Sequence, residues 1–232
     1  MSYSYRLKSR VHEEGFAYTI KYIVYVVFYC LTSFIRNTFL DFRYSGRSLR
    51  GNHKSLFKDF GANDTYHTDY SVMPLIFRNL KITPSDVLVD VGCGKGRVIN
   101  YWLSQKYKNR IIGLELDPKI AAKTSAQLKR HKNVRIISGD AISNLPPYGT
   151  IFYFYNPFCE EKVKSFENRL SELSTDRQLT VVYYNPKSLH AFKNQNWIIE
   201  HIDFERDFGV RRWGRMNKYH DLAIIKRRKI RE

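Results

Sequence analysis

Val87-Leu88-Val89-Asp90-Val91-Gly92-Cys93-Gly94-Lys95-Gly96-Arg97-Val98-Ile99 is the stretch whose reading decides the fold. Its first five residues, apolar and β-branched around one carboxylate, have the composition of a buried strand. Glycines then fall at every second position, and Val98, Ile99, Trp102 and Leu103 follow at helical spacing. Strand, glycine turn and helix in that order bring main chain close to a nucleotide-like ligand, because no Cβ holds the ligand off. Asp90 sits at the strand's end, just before the turn.

Downstream, the same alternation continues. A helix is expected to about Tyr107, then a second strand, Arg110–Glu115, ending in a carboxylate. Asp117-Pro118 opens a helix to about Lys129, with proline at the first turn where a missing N–H costs nothing. Val134–Ile137 reads as a third strand, followed by Ser138-Gly139-Asp140-Ala141. Thr150–Tyr155 is a fourth, closed by Asn156-Pro157-Phe158. A helix over about Glu160–Leu173 leads to a fifth strand, Leu179–Tyr184, closed by Asn185-Pro186. Trp197–Phe204 and Lys218–Lys226 are two last strands around a basic loop. The pattern predicts an α/β fold with a seven-strand sheet, mostly parallel with an antiparallel edge.

Upstream, residues 16–35 are the most apolar in the chain, and Lys21 leaves Tyr22–Ile35, 14 residues, as the uncharged run. As a helix it lines Tyr18, Tyr22, Tyr25 and Tyr29 on one face and Ile20, Val24, Val27, Leu31 and Phe34 on another. Two environments suit it, a membrane interface with basic residues at both ends, or packing against protein. Glu13 and Glu14 before the run, and no small-x-small site after it, argue against a cleaved signal peptide. Residues 41–69 read as a long irregular connection. Tyr70–Leu80 reads as a short helix, and Thr83-Pro84-Ser85-Asp86 as the turn into the first strand. The expected division is a basic, tyrosine-rich extension, 1–60, and a core domain, 61–232.

The formal charge of +17 is concentrated at the ends, with a net +6 over residues 1–60 and again over 204–232. Such ends suit an anionic partner, a membrane surface or nucleic acid, besides keeping the chain soluble. Cys30, Cys93 and Cys159 form no CxxC pair, so neither a zinc site nor a disulfide framework is expected. A reducing, cytoplasmic location follows, free or at the inner face of a membrane.

Gly92-x-Gly94-x-Gly96 with Asp90 two residues ahead differs from the dinucleotide pattern G-x-G-x-x-G. With Glu115 in Gly113-Leu-Glu-Leu-Asp-Pro and Asp140 in Gly139-Asp-Ala, it resembles the three ordered motifs of the class I, Rossmann-like S-adenosylmethionine-dependent methyltransferases, over about residues 70–226. The resemblance implies S-adenosylmethionine as cofactor, held by Asp90, Gly92, Gly94, Gly96, Glu115, Asp140 and Ala141; Tyr66, placed just before the core, is a further cofactor contact, and with His67 and Asp69 could form a lid over it. Glu115 would accept from the ribose hydroxyls and Asp140 from the adenine amine. An Asx-type turn is the other reading of Asp140.

Tyr155-Asn156-Pro157-Phe158 lies at the carboxyl end of the strand beside the first, where open α/β sheets place ligands. It resembles the Asn/Asp-Pro-Pro-Tyr/Phe motif of amino-group methyltransferases, without the second proline. There the Asn side chain and a backbone carbonyl accept from the target nitrogen while the aromatic ring packs on it. A strand-terminating turn is the alternative. Tyr184-Asn185-Pro186 repeats the pattern and reads as structural. Tyr66, His67 and Asp69 are the candidate bases for a hydroxyl acceptor.

Asp-x-Gly-x-Gly-Lys-Gly-Arg, the preceding Ile82–Asp86 and the later Tyr-Asn-Pro-Phe also resemble bacterial proteins labelled as histone-lysine-methyltransferase-like, and membrane-anchored lysine methyltransferases. The leading expectation is therefore methyl transfer to an amine, a protein lysine first. O-methylation of a glycan or lipid-linked acceptor, RNA methylation through the basic tail Lys226–Arg231, and a non-catalytic binding protein at a membrane are the alternatives.

Overall fold

The computed structural model describes residues 15–51, 67–173, 178–208 and 220–228, with positions 56, 57, 59, 61 and 63 between the first two stretches. The chain forms two compact units, residues 1–39 and 40–232.

The first unit holds most of helix α1 (Phe16–Ser45). Val24, Val27, Phe28, Leu31 and Ile35 are exposed on it. The Tyr25 and Tyr29 rings stack at 6.1 Å, one turn apart, as the tyrosine face predicts. By length and composition the helix could cross a membrane, an 18-residue window within Thr19–Ser45 having a mean hydropathy of 1.5.

α1 outruns the expected 16–35 by ten residues. Its last turns have tertiary partners that local composition does not announce. In the second unit, fully buried Asp41 pairs with Arg97 and accepts from the Leu49 amide and the Tyr70 hydroxyl. Ser45 and Asn100 exchange side-chain hydrogen bonds. Residues 41–51 are therefore part of the folded domain, against the irregular connection expected there.

The second unit continues with α2 (Met73–Ile76), β1 (Val87–Val91), α3 (Arg97–Ser104), β2 (Arg110–Glu115), α4 (Pro118–Leu128), β3 (Val134–Ser138), β4 (Ile151–Phe154), α5 (Glu160–Glu172) and β5 (Thr180–Tyr184). A 3-10 turn (Leu189–Phe192), β6 (Trp197–Ile202), α6 (Phe204–Phe208) and β7 (Leu222–Arg227) complete it. Phe204, expected at the end of a strand, instead starts α6. The basic loop beyond it lies outside the described residues, as does the tail from residue 229 on.

The seven strands lie in the order β3-β2-β1-β4-β5-β7-β6, with β7 antiparallel to both neighbours and the rest parallel. Alternation along β1 sends Val87, Val89 and Val91 into one core layer and Leu88 into the other. The first layer packs under α5, with Phe166 and Leu170; the second packs under α2 and α3, with Met73 and Trp102. Both faces of β1 are buried, which explains its unbroken apolar run. The chain leaves β1 for β2 and β3 on one side and returns to β4 on the other, so a crevice opens beyond the carboxyl ends of β1 and β4.

Candidate active site

The turn after β1 is built on positive φ: +73° at Gly92, +52° at Gly94 and +85° at Gly96. At Gly92 the reason is also spatial. A Cβ there would sit 2.7 Å from the Pro157 Cβ, so glycine is what lets the loops after β1 and β4 meet. The Gly94 peptide is gripped from both sides: its N–H donates to Glu115 Oε2 (2.8 Å) and its carbonyl accepts from Thr124 Oγ1 of α4 (2.8 Å). Glu115 Oε1 accepts from the Asp117 amide at 2.9 Å. Asp117 in turn caps α4, its Oδ1 accepting from the Lys119 and Ile120 amides. Glu115 thus arrives at the crevice already oriented by two charge-assisted bonds, each worth about 1.5–3 kcal/mol.

The cleft is lined by Asp90, Gly92, Cys93, Arg97, His67 and Thr68, by Glu115, Leu116, Ile120, Asp140, Ala141 and Lys162, and by Tyr155, Pro157 and Phe158. Asp90 is buried, and its Oδ2 is without a hydrogen-bond partner. Burial, and then the nearby Glu115 carboxylate, push its carboxyl well above the usual range. Burial also raises Glu115, against the pull of the Asp117 and Gly94 amides. The Cys93 thiol is raised by burial and by both carboxylates, which makes it unreactive. His67 is lowered to about 4, first by burial and then by Arg97, and its Nε2 is spent on the Gly51 carbonyl (2.9 Å).

For Asp140 both sequence readings hold at once. Oδ2 accepts from the Ser143 amide and hydroxyl in a turn, while the residue lines the cleft with Oδ1 3.8 Å from Lys162 Nζ. Ala141 beside it is buried. Tyr66, the expected lid, lies outside the described residues. Asp69 is committed to a turn, accepting from the Ser71 amide and hydroxyl.

The acceptor loop requires a correction. Tyr155, Pro157 and Phe158 line the cleft, but Asn156 is not among its lining residues. With φ at +43°, Asn156 turns its side chain along the sheet edge, Nδ2 donating to the Asn185 carbonyl (2.6 Å) and Oδ1 accepting from the Tyr183 hydroxyl (2.9 Å). The two Tyr-Asn-Pro corners are thereby tied together, Asn185 also being at positive φ (+54°). Asparagine tolerates this conformation better than most residues, which accounts for its presence at both corners. The carboxamide expected to hold the target nitrogen is thus engaged in a turn.

Asn63, which sequence reasoning passed over, meets the carbonyls of the same loop. Its Nδ2 donates to the Asn156 and Phe158 oxygens (2.9 and 2.8 Å) and its amide to the Pro157 oxygen (3.0 Å). Arg97 and Lys162 were also missed; only the adjacency of Arg97 to Gly96 hinted at a place in the site. Tyr155 packs against Tyr184 and His220, at ring separations of 5.0 and 5.8 Å.

Residues 55–157 match the ribosomal RNA adenine dimethylase family, a span that runs from before the glycine turn to the acceptor loop. A probable cobalt-precorrin-6B C(15)-methyltransferase (decarboxylating) of Archaeoglobus fulgidus is 31% identical over 81 residues, 35% of this chain and 47% of that protein. The chain thus spans about half the length of this curated relative. An RNA methyltransferase of Salinibacter ruber, solved with S-adenosyl-L-homocysteine, superposes with a TM-score of 0.50 at 19% identity, over 72% of this chain and 97% of the other. A precorrin-6y C5,15-methyltransferase of Geobacter metallireducens gives 0.50 at 14% identity, over 74% and 94%. The fold is that of the class I S-adenosylmethionine-dependent methyltransferases. The matched proteins act on RNA and on corrin precursors by name; the histone-lysine resemblance finds no counterpart among them.

The cleft fits the cofactor of that class on its own terms. The unpartnered, buried Asp90 Oδ2 asks for a donor such as an ammonium. Glu115 keeps lone pairs for a ribose diol beyond the two it gives to main chain.

Proposed function

We propose that this protein is an S-adenosylmethionine-dependent methyltransferase whose acceptor is an amino nitrogen of RNA, adenine first. What carries this reading is the coincidence of the cofactor-type cleft with a match to the ribosomal RNA adenine dimethylase family that covers both the glycine turn and Pro157. The +17 charge suits a polyanionic partner, and the Tyr155–Phe158 rim offers aromatic faces on which a base can stack.

When bound, the cofactor supplies a methyl group on a positively charged sulfur, ready for in-line displacement. The chain's own residues do the rest by placement. Asp90 Oδ2 would accept from the amino-acid end, Glu115 from the ribose and Asp140 from the adenine ring's amine. The glycine turn keeps main chain close beneath. An exocyclic amine needs no strong base, only carbonyl oxygens to hold its N–H groups as its lone pair attacks. The Asn156 and Phe158 oxygens can serve, and they already hold the planar NH2 of Asn63, which must withdraw for an acceptor to enter. Of the three bases of the hydroxyl-acceptor reading, His67 Nε2 and Asp69 Oδ1 are engaged elsewhere, and Tyr66 lies outside the described residues.

We further infer that α1 rests in a membrane interface. Asp41 is spoken for by Arg97, and the uncharged Tyr22–Ile35 spans only about 21 Å as helix, short of a hydrocarbon core of about 30 Å.

The test is transfer of a labelled methyl group into a cell lysate by the full chain, followed by separation of RNA, protein and lipid. Nuclease-sensitive label in RNA is expected. Label confined to protein would replace RNA by the lysine reading, and no label in any fraction would overturn the activity.

A further inference from the structure

Among the described residues that line the cleft is one largely buried cation, Arg97, and its counter-ion, Asp41, lies near the end of α1. Arg97 is the first residue of α3, directly after Gly96, and only 8% exposed. Asp41, fully buried near the end of α1, takes its Nε (3.2 Å) and Nη2 (2.9 Å). A guanidinium has five N–H donors; this grip uses two and leaves three, and among the described residues Nη1 makes no hydrogen bond, while the side chain lines the cleft.

The grip is itself braced. Tyr70 donates its hydroxyl to Asp41 Oδ1 and lays its ring 5.6 Å from the guanidinium carbon. The Leu49 amide donates to Asp41 Oδ2. Asp41 and the Tyr70 ring thus fix the guanidinium, while the Tyr70 hydroxyl and the Leu49 amide fix Asp41. Lys95, from the same turn, donates to the Arg50 and Gly51 carbonyls (2.9 and 2.8 Å), and its charge is felt at Arg97 and His67. Asp90 lines the same cleft and, among the described residues, has an Oδ2 with no hydrogen-bond partner, so it offers a carboxyl to a donor. A ligand group that satisfies Arg97 and Asp90 together carries an anion and an amine side by side, as an α-amino acid does.

Resting on the cofactor reading above, we propose that Arg97 binds the α-carboxylate of the cofactor's amino-acid end, and that Asp41 is the positioning residue that aims it. The cofactor site then depends on the N-terminal helix: the turn Gly92–Gly96 provides the close approach, while a residue some fifty positions earlier sets the orientation of the charge.

The experiment uses full-length protein and isothermal titration with three ligands: S-adenosylhomocysteine, its decarboxylated analogue, which keeps the amine, and 5′-methylthioadenosine, which keeps neither. Arg97→Gln should weaken S-adenosylhomocysteine about 10- to 100-fold and change the other two less than about threefold, the range of one charge-assisted contact. Asp41→Asn, which preserves shape but not charge, should show the same ligand pattern at smaller size. Arg97→Lys should recover part of the loss without restoring the wild-type value, because an ammonium cannot fork between Asp41 and a carboxylate. Equal loss for all three ligands means a structural role only and overturns the proposal. So does unchanged S-adenosylhomocysteine affinity in Arg97→Gln. If wild type binds none of the three, the cofactor reading itself fails, an outcome distinct from either.

Discussion

Replacing Gly92 by alanine tests how the two loops of the site are joined. The new Cβ would lie 2.7 Å from the Pro157 Cβ, where carbon atoms rest about 3.5–4.0 Å apart, so one loop must retreat by about 1 Å. Pro157 is poorly placed to yield, since its carbonyl and those on either side are bonded to Asn63. Alanine at φ +73° adds about 1–2 kcal/mol of backbone strain, and the overpacked contact about 1–3 kcal/mol. A central total of about 3 kcal/mol lowers Tm by about 6–12 °C in a domain of this size. Differential scanning calorimetry and titration with S-adenosylhomocysteine read the two consequences, lost stability and weakened binding. The contact part is separable. Pro157→Gly removes the opposing Cβ, so the double variant should recover about 1–3 kcal/mol relative to additivity and leave only the strain. Strictly additive losses, or a Gly92→Ala protein with wild-type Tm and affinity, would refute the idea that glycine is required there by Pro157.

Other expectations follow from the same geometry. Glu115→Gln must present an N–H to either the Gly94 or the Asp117 amide, so S-adenosylhomocysteine affinity should fall on the order of 100-fold, and a loss under threefold would contradict its double role. His67 has its folded pKa depressed to about 4, below the unfolded value of 6.5. Its contribution to stability is therefore full above pH 6.5 and is lost as pH falls to about 4, where the unfolded chain binds a proton that the folded one refuses. His67→Gln should flatten the stability profile across that window, and NMR titration of His67 near 6.5 would count against the burial that causes it. Buried Cys93 should resist a water-soluble maleimide while exposed Cys30 reacts. Anionic vesicles should protect Cys30, and reaction at the same rate with vesicles present would remove α1 from the membrane.

The legible parts of this protein are those whose cause is local. β1 announces itself because both of its faces are buried, which forces an unbroken apolar run. α4 starts where Asp117-Pro118 says it does, because an Asx cap and a proline at the first turn act within three residues. The glycine turn, Glu115 and Asp140 could be placed because each sits at a strand end whose position the alternation of elements fixes. The parallel strands follow from the same alternation; the reversed strand, expected at the sheet's edge, lies one strand in, β7 sitting between β5 and β6.

What failed to show was non-local. Asn156 has the same composition and neighbours whether its amide faces an acceptor or a turn; Tyr183 and Asn185, a strand away, decide the matter. Nothing near Asn63 marks it as the donor to three carbonyls nearly a hundred residues later. The ten added residues of α1 depend on Arg97 and Asn100, which lie about 55 positions on. By itself the sequence determined the strand–turn–helix unit, the cofactor class it resembles and the sheet around it, since short-range periodicity and capping carry that information. Only the tertiary structure decided which side chains face the cleft, because that depends on partners brought together by the sheet's crossovers, and hydrogen-bond partners a strand or a helix away leave no mark on the residues they engage.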